Sequence, residues 1–268
     1  MKIFDCVTYL DENMLLEVRF NILNKYVDKF IIAESLYTHS GKKKKQNFDI
    51  KNFSKFKDKI HYIFIEDEVK NLHDTEENNP YRSGNLRLNS LKRIEKQYNS
   101  LAEGIREAND DDLILLSDCD EIPNLANLNK QNLKNEIMLF KQKIFYYKFN
   151  LQHLEMDWFG TKGCKKKDLK TFNWLRNIKN KKYKFWRLDT YFSDNKYINV
   201  KTIDDGGWHF SKVKNEKEIY YTLSNYGEHN EFEKSGLDPV KIKELIDNQE
   251  LYFDHKLDKL SNNKYSSK

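Results

Sequence analysis

The chain has 268 residues, a formal net charge of +5, 38% hydrophobic residues and 33% charged residues. That balance alone would suit a disordered chain, but 17 Phe, 16 Tyr and 4 Trp supply enough apolar surface for a folded core. The three cysteines, Cys6, Cys119 and Cys164, are too widely spaced for a disulfide framework or a zinc site, which favours a reducing compartment. No signal peptide is recognisable, and no run approaches the ~18 apolar residues of a membrane span. We therefore expect a soluble, cytoplasmic, globular protein.

Strands alternate with helices in the first half of the chain. Short apolar runs predict strands, and periodic apolar positions predict the helices between them. The predicted strands are residues 3–7, 27–34, 59–66 and 113–116, and the predicted helices are residues 11–26 and 86–109. Such alternation is typical of parallel βαβ units.

The second half is richer in aromatic residues and less regular. Residues 137–140 and 143–149 predict two strands that add antiparallel to the sheet, whereas residues 150–200 give no clear pattern. Asp238-Pro239 predicts the start of a last helix, because an Asp cap followed by Pro is a typical helix beginning.

The segment Asp118-Cys119-Asp120-Glu121 directly follows the predicted strand at residues 113–116. In an open α/β sheet, ligands bind just beyond the carboxyl ends of the strands. Asp118 and Asp120 are two residues apart, so both can face one cation while Cys119 turns into the fold. Carboxylate oxygens suit Mg²⁺ or Mn²⁺, which complete their shells with water and substrate phosphates. A solvated acidic turn is the alternative. For Glu121, orienting a neighbour and capping the turn are equally open.

Lysine and arginine are concentrated in three stretches, residues 42–45, 165–167 and 176–184. Solvated loops would explain them. The alternative is attraction to phosphate, to an anionic glycan or to a membrane surface.

Four motifs occur in a fixed order along the chain. They are Asp5-Cys6, residues 27–34 with Thr38-His39-Ser40-Gly41-Lys42, residues 117–123, and Gly207-Trp208-His209-Phe210-Ser211. Together, over about residues 3–232, they resemble glycosyltransferase family 17, which includes β-1,4-mannosyl-glycoprotein β-1,4-N-acetylglucosaminyltransferases. The chain departs from the family pattern at Tyr98, where the family has an arginine. Arg87, Arg93 or Arg106 would then have to replace that arginine.

The resemblance implies an α/β GT-A fold, which is the Rossmann-like fold of nucleotide-diphospho-sugar transferases, with a mixed, mostly parallel central sheet. Residues 1–235 would form the catalytic domain, residues 236–260 a C-terminal helix, and residues 261–268 a disordered tail. The implied reaction moves a sugar, with GlcNAc expected, from a UDP-sugar donor to a glycan hydroxyl with inversion. Because the membrane anchor of the animal members is absent, a cytosolic lipid-linked or polysaccharide acceptor is expected, with peripheral contact to the inner face of a membrane.

The resemblance also suggests ligands for the metal and the donor. Mn²⁺ or Mg²⁺ would bind Asp118, Asp120 and His209, and Asp118 could instead contact the ribose. A packed core residue is the alternative for His209, and Trp208 is either core or a platform for a sugar. The predicted contacts to uridine or phosphate are Glu34, His39, Ser40, Gly41 and Lys42.

Inversion requires a general base that deprotonates the acceptor hydroxyl. Asp205 is the first candidate, ahead of its neighbour Asp204, and Glu228 and Glu231 are the others. For each of them a surface acid is the alternative interpretation.

Two rival functions remain. A nucleotidyltransferase could use the same acids, but the chain has no glycine-rich, Lys/Arg-bearing loop after the first strand. A nucleic-acid-binding protein could use the lysines and aromatic residues, but acids rather than bases follow the strands and no recognisable motif supports it. We therefore expect no nucleic-acid partner.

Overall fold

The structure is a computed structural model that describes residues 1–126, 128, 136–180, 186–190, 192–197, 200–251 and 266–267. Ten strands in these residues form one mixed sheet. The strands are β1 (Ile3–Tyr9), β2 (Lys29–Ser35), β3 (Ile60–Ile65), β4 (Leu113–Asp118), β5 (Glu121–Pro123), β6 (Ile137–Tyr146), β7 (Leu151–Lys165), β8 (Val200–Ile203), β9 (Gly207–Ser211) and β10 (Ser266–Ser267). The α-helices are α1 (Asn13–Leu23), α2 (Arg82–Ser100), α3 (Phe172–Asn177), α4 (Glu216–Asn225), α5 (His229–Ser235) and α6 (Pro239–Asn248).

The first four strands are parallel and lie in the order β3-β2-β1-β4. This confirms the βαβ prediction for the first half of the chain. The order reverses between β1 and β4, which is where α/β sheets leave a crevice for a ligand at the carboxyl ends of the strands. Both strands are almost entirely buried, because layers of helix cover the two faces of the sheet.

The remaining strands make the sheet mixed. Strand β7 is antiparallel to β4 and to β6, whereas β6 is parallel to β8 and β9. The prediction of two strands at residues 137–140 and 143–149 was wrong, because β6 runs without a break from Ile137 to Tyr146. Its irregularities are register shifts against β7 rather than a turn. Within residues 150–200, which gave no clear sequence pattern, Leu151–Lys165 form the 15-residue strand β7 and Phe172–Asn177 form the short helix α3.

Three apolar clusters hold the layers together. Helix α1 packs Phe20 on one face of the sheet, where its ring lies 4.5 Å from that of Phe30. Helix α2 packs Ile94 and Tyr98 on the opposite face. A third cluster joins helices α4 and α6 to the ends of β6 and β7. Aromatic side chains therefore contribute much of the buried area, as the composition suggested.

The C-terminal part is partly described. Helix α6 begins at Pro239, and the Asp238 carboxylate accepts the backbone N–H of Lys241, which confirms the predicted cap. In the predicted tail only Ser266–Ser267 is described, as a two-residue strand antiparallel to β7, and residues 252–265 and 268 lie outside the described residues. The proposed domain boundaries stay a prediction. Of the described helices, none is both long and apolar enough to cross a membrane.

Candidate active site

A cleft opens where strands β1, β2 and β4 end, and we call it the strand-end cleft. Its floor is formed by residues Thr8 to Leu10, residues Tyr37 to His39 and residues Asp118 to Asp120, with the end of helix α4 closing one side. The cleft thus lies at the point where the strand order reverses, as expected for an open α/β sheet.

Asp118 is the last residue of β4 and faces the strand-end cleft. Its Oδ1 accepts a hydrogen bond from the Tyr98 hydroxyl and a longer one, 3.4 Å, from the Thr8 hydroxyl. Its backbone N–H donates to the Glu121 carboxylate over 2.9 Å. These contacts hold one oxygen of Asp118 on the wall of the cleft. Tyr98, which occupies the position of the family arginine, therefore contacts the acidic motif directly.

Asp120 and His209 form a pair on the same edge of the sheet. The Asp120 Oδ2 lies 3.4 Å from His209 Nε2, although the residues are far apart in sequence. Strand β9 brings them together, because the N–H of Phe210 donates to the Asp120 carbonyl over 2.9 Å. Burial alone would raise the pKa of Asp120, but the nearby histidine and lysines outweigh burial and lower it. The same carboxylate raises the pKa of His209 against the opposing effect of burial.

Glu121 lies behind this pair and faces away from solvent. Burial and the neighbouring Asp118 raise the pKa of its carboxyl to about 7. Its Oε1 accepts from the Trp158 indole N–H over 2.7 Å, and the Trp158 ring packs on His209 with ring centroids 4.6 Å apart. Glu121 therefore contacts both a neighbouring side chain and, through the Asp118 N–H, the acidic turn, so both open predictions for it remain compatible with the geometry.

A buried ion pair supports the acidic turn from below. The Arg19 guanidinium donates twice to the Asp5 carboxylate, at 2.6 Å each, and both side chains are fully buried. The same guanidinium donates to the Glu121 carbonyl over 2.6 Å and to the Ser117 hydroxyl over 3.0 Å. Bidentate pairing of this kind is directionally specific, so Arg19 fixes the path of the chain on both sides of Asp118.

The glycines beside His209 are required by the packing of the protein's own strands. Gly207 has φ +119°, and a Cβ there would lie 2.1 Å from the Ile122 carbonyl oxygen. A Cβ on Gly206 would lie 2.7 Å from the Lys141 backbone nitrogen. Both glycines therefore allow close approach to the protein's own strands rather than to a ligand.

The donor set of the cleft fits a divalent cation with two protein ligands. No group of three or more His, Cys, Asp or Glu side chains with the geometry of a metal site occurs in the described part of the chain. Asp120 and His209 nevertheless offer an oxygen and a nitrogen at a separation compatible with one ion, and His209 Nδ1 is buried without a partner among the described residues. Mn²⁺ and Mg²⁺ readily take their remaining ligands from phosphates and water.

The predicted donor-binding loop lies beside the cleft, but its residues differ in access. His39 lines the cleft and its Nε2 is 2.8 Å from Gln97 Oε1. The Ser40 hydroxyl forms a hydrogen bond with the side chain of Asn225, and Gly41 packs under the Arg93 guanidinium. Lys42 is exposed and does not line the cleft. The loop is thus attached to the cleft mainly through His39.

Glu34 does not face the cleft. Its side chain is fully buried, pairs with Lys44 and accepts from the backbone N–H groups of Asn47 and Phe48 and from the Tyr62 hydroxyl. The carboxylate therefore organises the loop that follows β2, and all its accessible lone pairs are directed to protein groups.

All four predicted general bases lie outside the lining of the strand-end cleft, and Asp204 is exposed. Asp205 is 62% exposed and lies 3.3 Å from Lys143. Glu228 is half-exposed and lies 2.7 Å from Arg87, and Glu231 is exposed in the first turn of α5. Each has the position of a surface acid.

Sequence reasoning missed several residues that line the cleft. The most important are Glu12, Arg176, Lys212 and Tyr226. The only available signal was that Arg176 begins a basic stretch and that Lys212 follows the His209 motif closely. Glu12 lies in the short connection between β1 and α1, where a ligand-facing side chain is expected.

Comparison with known proteins identifies the family. The model of Glycosyltransferase family 17 matches residues 1–257. Among solved structures, the crystal structure of HddC from Yersinia pseudotuberculosis is similar to this chain at 11% sequence identity. The match covers 77% of this chain and 92% of that chain with a TM-score of 0.33. This identity and this TM-score are too low to support a functional argument. No curated protein gives a significant match. Because the family match spans nearly the whole chain, this protein belongs to glycosyltransferase family 17 and its chemistry is glycosyl transfer.

Proposed function

We propose that the protein is a GT-A, inverting, metal-dependent glycosyltransferase that moves GlcNAc from UDP-GlcNAc to a glycan hydroxyl. The observation that carries this proposal is the placement of Asp118, Asp120 and His209 together at the carboxyl end of β4, inside the strand-end cleft. Family membership supports glycosyl transfer, and the donor, metal and stereochemistry are inferred from the family resemblance and the donor set.

In this proposal Asp120 and His209 hold Mn²⁺ or Mg²⁺. The ion would neutralise charge that develops on the diphosphate as the sugar leaves. Asp118, whose Oδ1 is held by Tyr98, would face the ribose or the ion, and His39 would lie against the nucleotide. Trp158 and Glu121 keep the imidazole of His209 in place from behind.

The metal assignment predicts the effect of Asp120→Asn. Loss of the carboxylate removes a hard ligand, so we expect transfer to fall at least 100-fold and UDP to bind more weakly in Mn²⁺. UDP release from UDP-GlcNAc, UDP-glucose and UDP-galactose, with and without EDTA, measures this directly. Asp111→Asn is a matched control, because Asp111 is an exposed acid paired with Lys165 and Lys167 outside the cleft lining.

Two outcomes would contradict the proposal. Full turnover in EDTA would remove the cation from the mechanism. Release of pyrophosphate from a nucleoside triphosphate and a sugar 1-phosphate would make the protein a nucleotidyltransferase. The anomeric configuration of the product, read by NMR, tests inversion separately.

We place the general base at Glu12, because it is the carboxylate of the cleft that is left after Asp118 and Asp120 are assigned to the donor. Burial raises the pKa of Glu12, against the effect of Lys214, whose Nζ lies 3.9 Å away. A raised pKa suits proton abstraction near neutral pH. Its Oε2 accepts the N–H groups of Leu10 and Asp11 at 2.9 and 3.1 Å, which fixes its orientation.

Substitution of Glu12 tests this assignment against the sequence prediction of Asp205. Glu12→Gln keeps the backbone hydrogen bonds, so we expect kcat to fall roughly 100-fold while UDP affinity is preserved. Asp205→Asn serves as the comparison and should turn over normally. If Asp205→Asn is inactive with intact UDP affinity and Glu12→Gln is active, the base is Asp205.

The acceptor is proposed from the family resemblance and the exposed surface. A glycan that is lipid-linked or part of a polysaccharide would reach the cleft from the side of α3, which contributes Arg176 to the lining. Exposed aromatic side chains such as Trp186 and Phe192 are compatible with peripheral contact to an anionic membrane.

A further inference from the structure

Two cations in the strand-end cleft have no carboxylate partner. Arg176 and Lys212 both line the cleft, and no carboxylate of a described residue lies within 4.0 Å of either side-chain cation. Two other lysines are ion-paired: Lys44, which also lines the cleft, with Glu34, and Lys214 with Asp11. The cleft therefore contains positive charge that the protein itself does not neutralise by an ion pair.

Both cations are held in position by aromatic rings. The guanidinium carbon of Arg176 lies 5.1 Å from the centre of the Tyr98 ring, and Lys212 Nζ lies 5.2 Å from the centre of the Tyr226 ring. Cation–π contacts orient a cation without removing its capacity to donate hydrogen bonds to an anion. Tyr98 is itself fixed by its hydrogen bond to Asp118, so Arg176 is positioned relative to the acidic motif.

Both cation–ring pairs line the same strand-end cleft. Burial raises the pKa of the Tyr226 phenol, and the charge of Arg176 acts on the same phenol in the opposite direction. Lys212 follows His209 by three residues and has φ +56°, an uncommon conformation for a lysine. Its backbone therefore directs the side chain from the end of β9 towards the cleft rather than along the strand.

Unpaired cations in a partly buried cleft are costly, and an anionic ligand removes that cost. Arg176 and Lys212 are both half-buried in the same cleft, so their like charges disfavour each other until an anion screens them. A guanidinium matches phosphate oxygens through two parallel hydrogen bonds, and an ammonium adds a compact charge. A diphosphate, with several negative charges along a short chain, matches two separate cations better than a single carboxylate does.

We infer that Arg176 and Lys212 form a pyrophosphate-binding pair that holds the diphosphate of a nucleotide-sugar donor without requiring a divalent cation. The inference rests on the proposed donor class and deepens it. Arg176 on α3 and Lys212 after β9 would then be the protein's own contacts to the diphosphate. They are distinct from the proposed metal ligands Asp120 and His209. UDP should consequently retain measurable affinity for the metal-free protein.

Calorimetric titration of UDP into the protein in EDTA tests the pair. We expect binding by the wild type, a roughly 10-fold or greater loss for Arg176→Gln and for Lys212→Gln, and a larger loss for the double variant. Uridine, which lacks phosphates, should bind wild type and variants equally. Lys170→Gln is the matched control, because Lys170 also lies over an aromatic ring, 5.6 Å from the centre of Trp174, but outside the cleft lining.

The outcomes separate this inference from the proposed function. Variants that bind UDP in EDTA as tightly as the wild type, with unchanged thermal midpoints, would overturn the pair. Wild-type protein that binds UDP only with Mn²⁺ would overturn it as well. Inorganic pyrophosphate that binds the wild type and not the variants would support the pair even if no UDP-sugar proved to be a donor, in which case only the donor assignment would fail.

Discussion

Arg19 shows how a residue outside the cleft can control the geometry inside it. Its guanidinium pairs with Asp5 on β1 and also donates to the carbonyls of Glu121, at 2.6 Å, and Asp118, at 3.4 Å. A fully buried charge pair is strongly destabilised when one partner is removed, by about 3–5 kcal/mol. The pair therefore combines a stabilising function with positioning of the acidic motif.

Arg19→Lys tests the positioning function while keeping the charge. Lysine cannot form the two parallel bonds to Asp5 and reach the Glu121 carbonyl together, so we expect the acidic turn to shift. Donor KM should rise about 10-fold or more at a temperature where the variant is folded. Asp112→Asn is the control, because buried Asp112 accepts the N–H groups of Lys2 and Asn109, away from the cleft lining. An equal rise in KM for both variants would mean general destabilisation only.

Residue types and strand ends were sufficient to predict the acidic motif at the end of a strand, because the strand pattern before Asp118 is clear, whereas His209 was assigned to the same site from the family resemblance. They were insufficient for Arg176. It lies on a six-residue helix within a stretch without periodicity, so no local pattern relates it to Tyr98. Asp205 also could not be placed from sequence. Its φ of +48° turns the chain before β9, and its side chain lies beside Lys143 rather than His209.

At the scale of elements, the contact between β5 and β9 brings the proposed metal ligands together. The register pairs Glu121 with His209 and Pro123 with Gly207, so β9 carries His209 directly to the acidic turn. Sequence patterns do not reveal this pairing, because β5 has only three residues and β9 is distant along the chain. The merging of two predicted strands into β6 has a similar cause, since β7 and β9 pair along its length and override the local break.

Gly207→Ala tests the tightness of this contact. The substitution places a Cβ against the Ile122 carbonyl and forces a side chain to adopt φ +119°. We expect a loss of about 3 kcal/mol in the free energy of unfolding and weaker metal-dependent UDP binding, because His209 is displaced. Gly236→Ala is the matched control. Gly236 also has positive φ, +64°, but a Cβ there meets nothing within 4 Å, so a loss of about 1 kcal/mol with normal UDP binding is expected. Equal losses for both variants would exclude a specific contact at Gly207.

The two halves of the chain differ in how much of their structure can be predicted from the sequence. The parallel half follows from apolar runs and helical periodicity, since each βαβ unit is built from residues close in sequence. The mixed half depends on pairings between distant strands, such as β4 with β7 and β6 with β9. The cleft lies where the halves meet, which is why Asp118 and Asp120 were predictable and Arg176 and Lys212 were not.

Packing of the whole cleft wall also controls how stability depends on pH. His39 lies between β2 and α2, with Nε2 2.8 Å from Gln97, and burial lowers its pKa. Burial likewise lowers the pKa of His229 on α5. A histidine whose folded pKa is depressed binds protons preferentially in the unfolded state, so its stability contribution is present above about pH 6.5 and is lost as the pH falls.

Comparison of wild type with His39→Gln isolates this effect. Glutamine can keep the contact with Gln97 but does not titrate, so the variant should lose less stability than the wild type between pH 7 and pH 5. Each pH unit over which only the unfolded histidine is protonated costs the folded state about 1.4 kcal/mol. Urea unfolding at half-unit pH intervals gives the difference directly. Parallel pH profiles of the two proteins would show that His39 titrates normally in the folded state, and the loop between β2 and the cleft would then have to open to solvent.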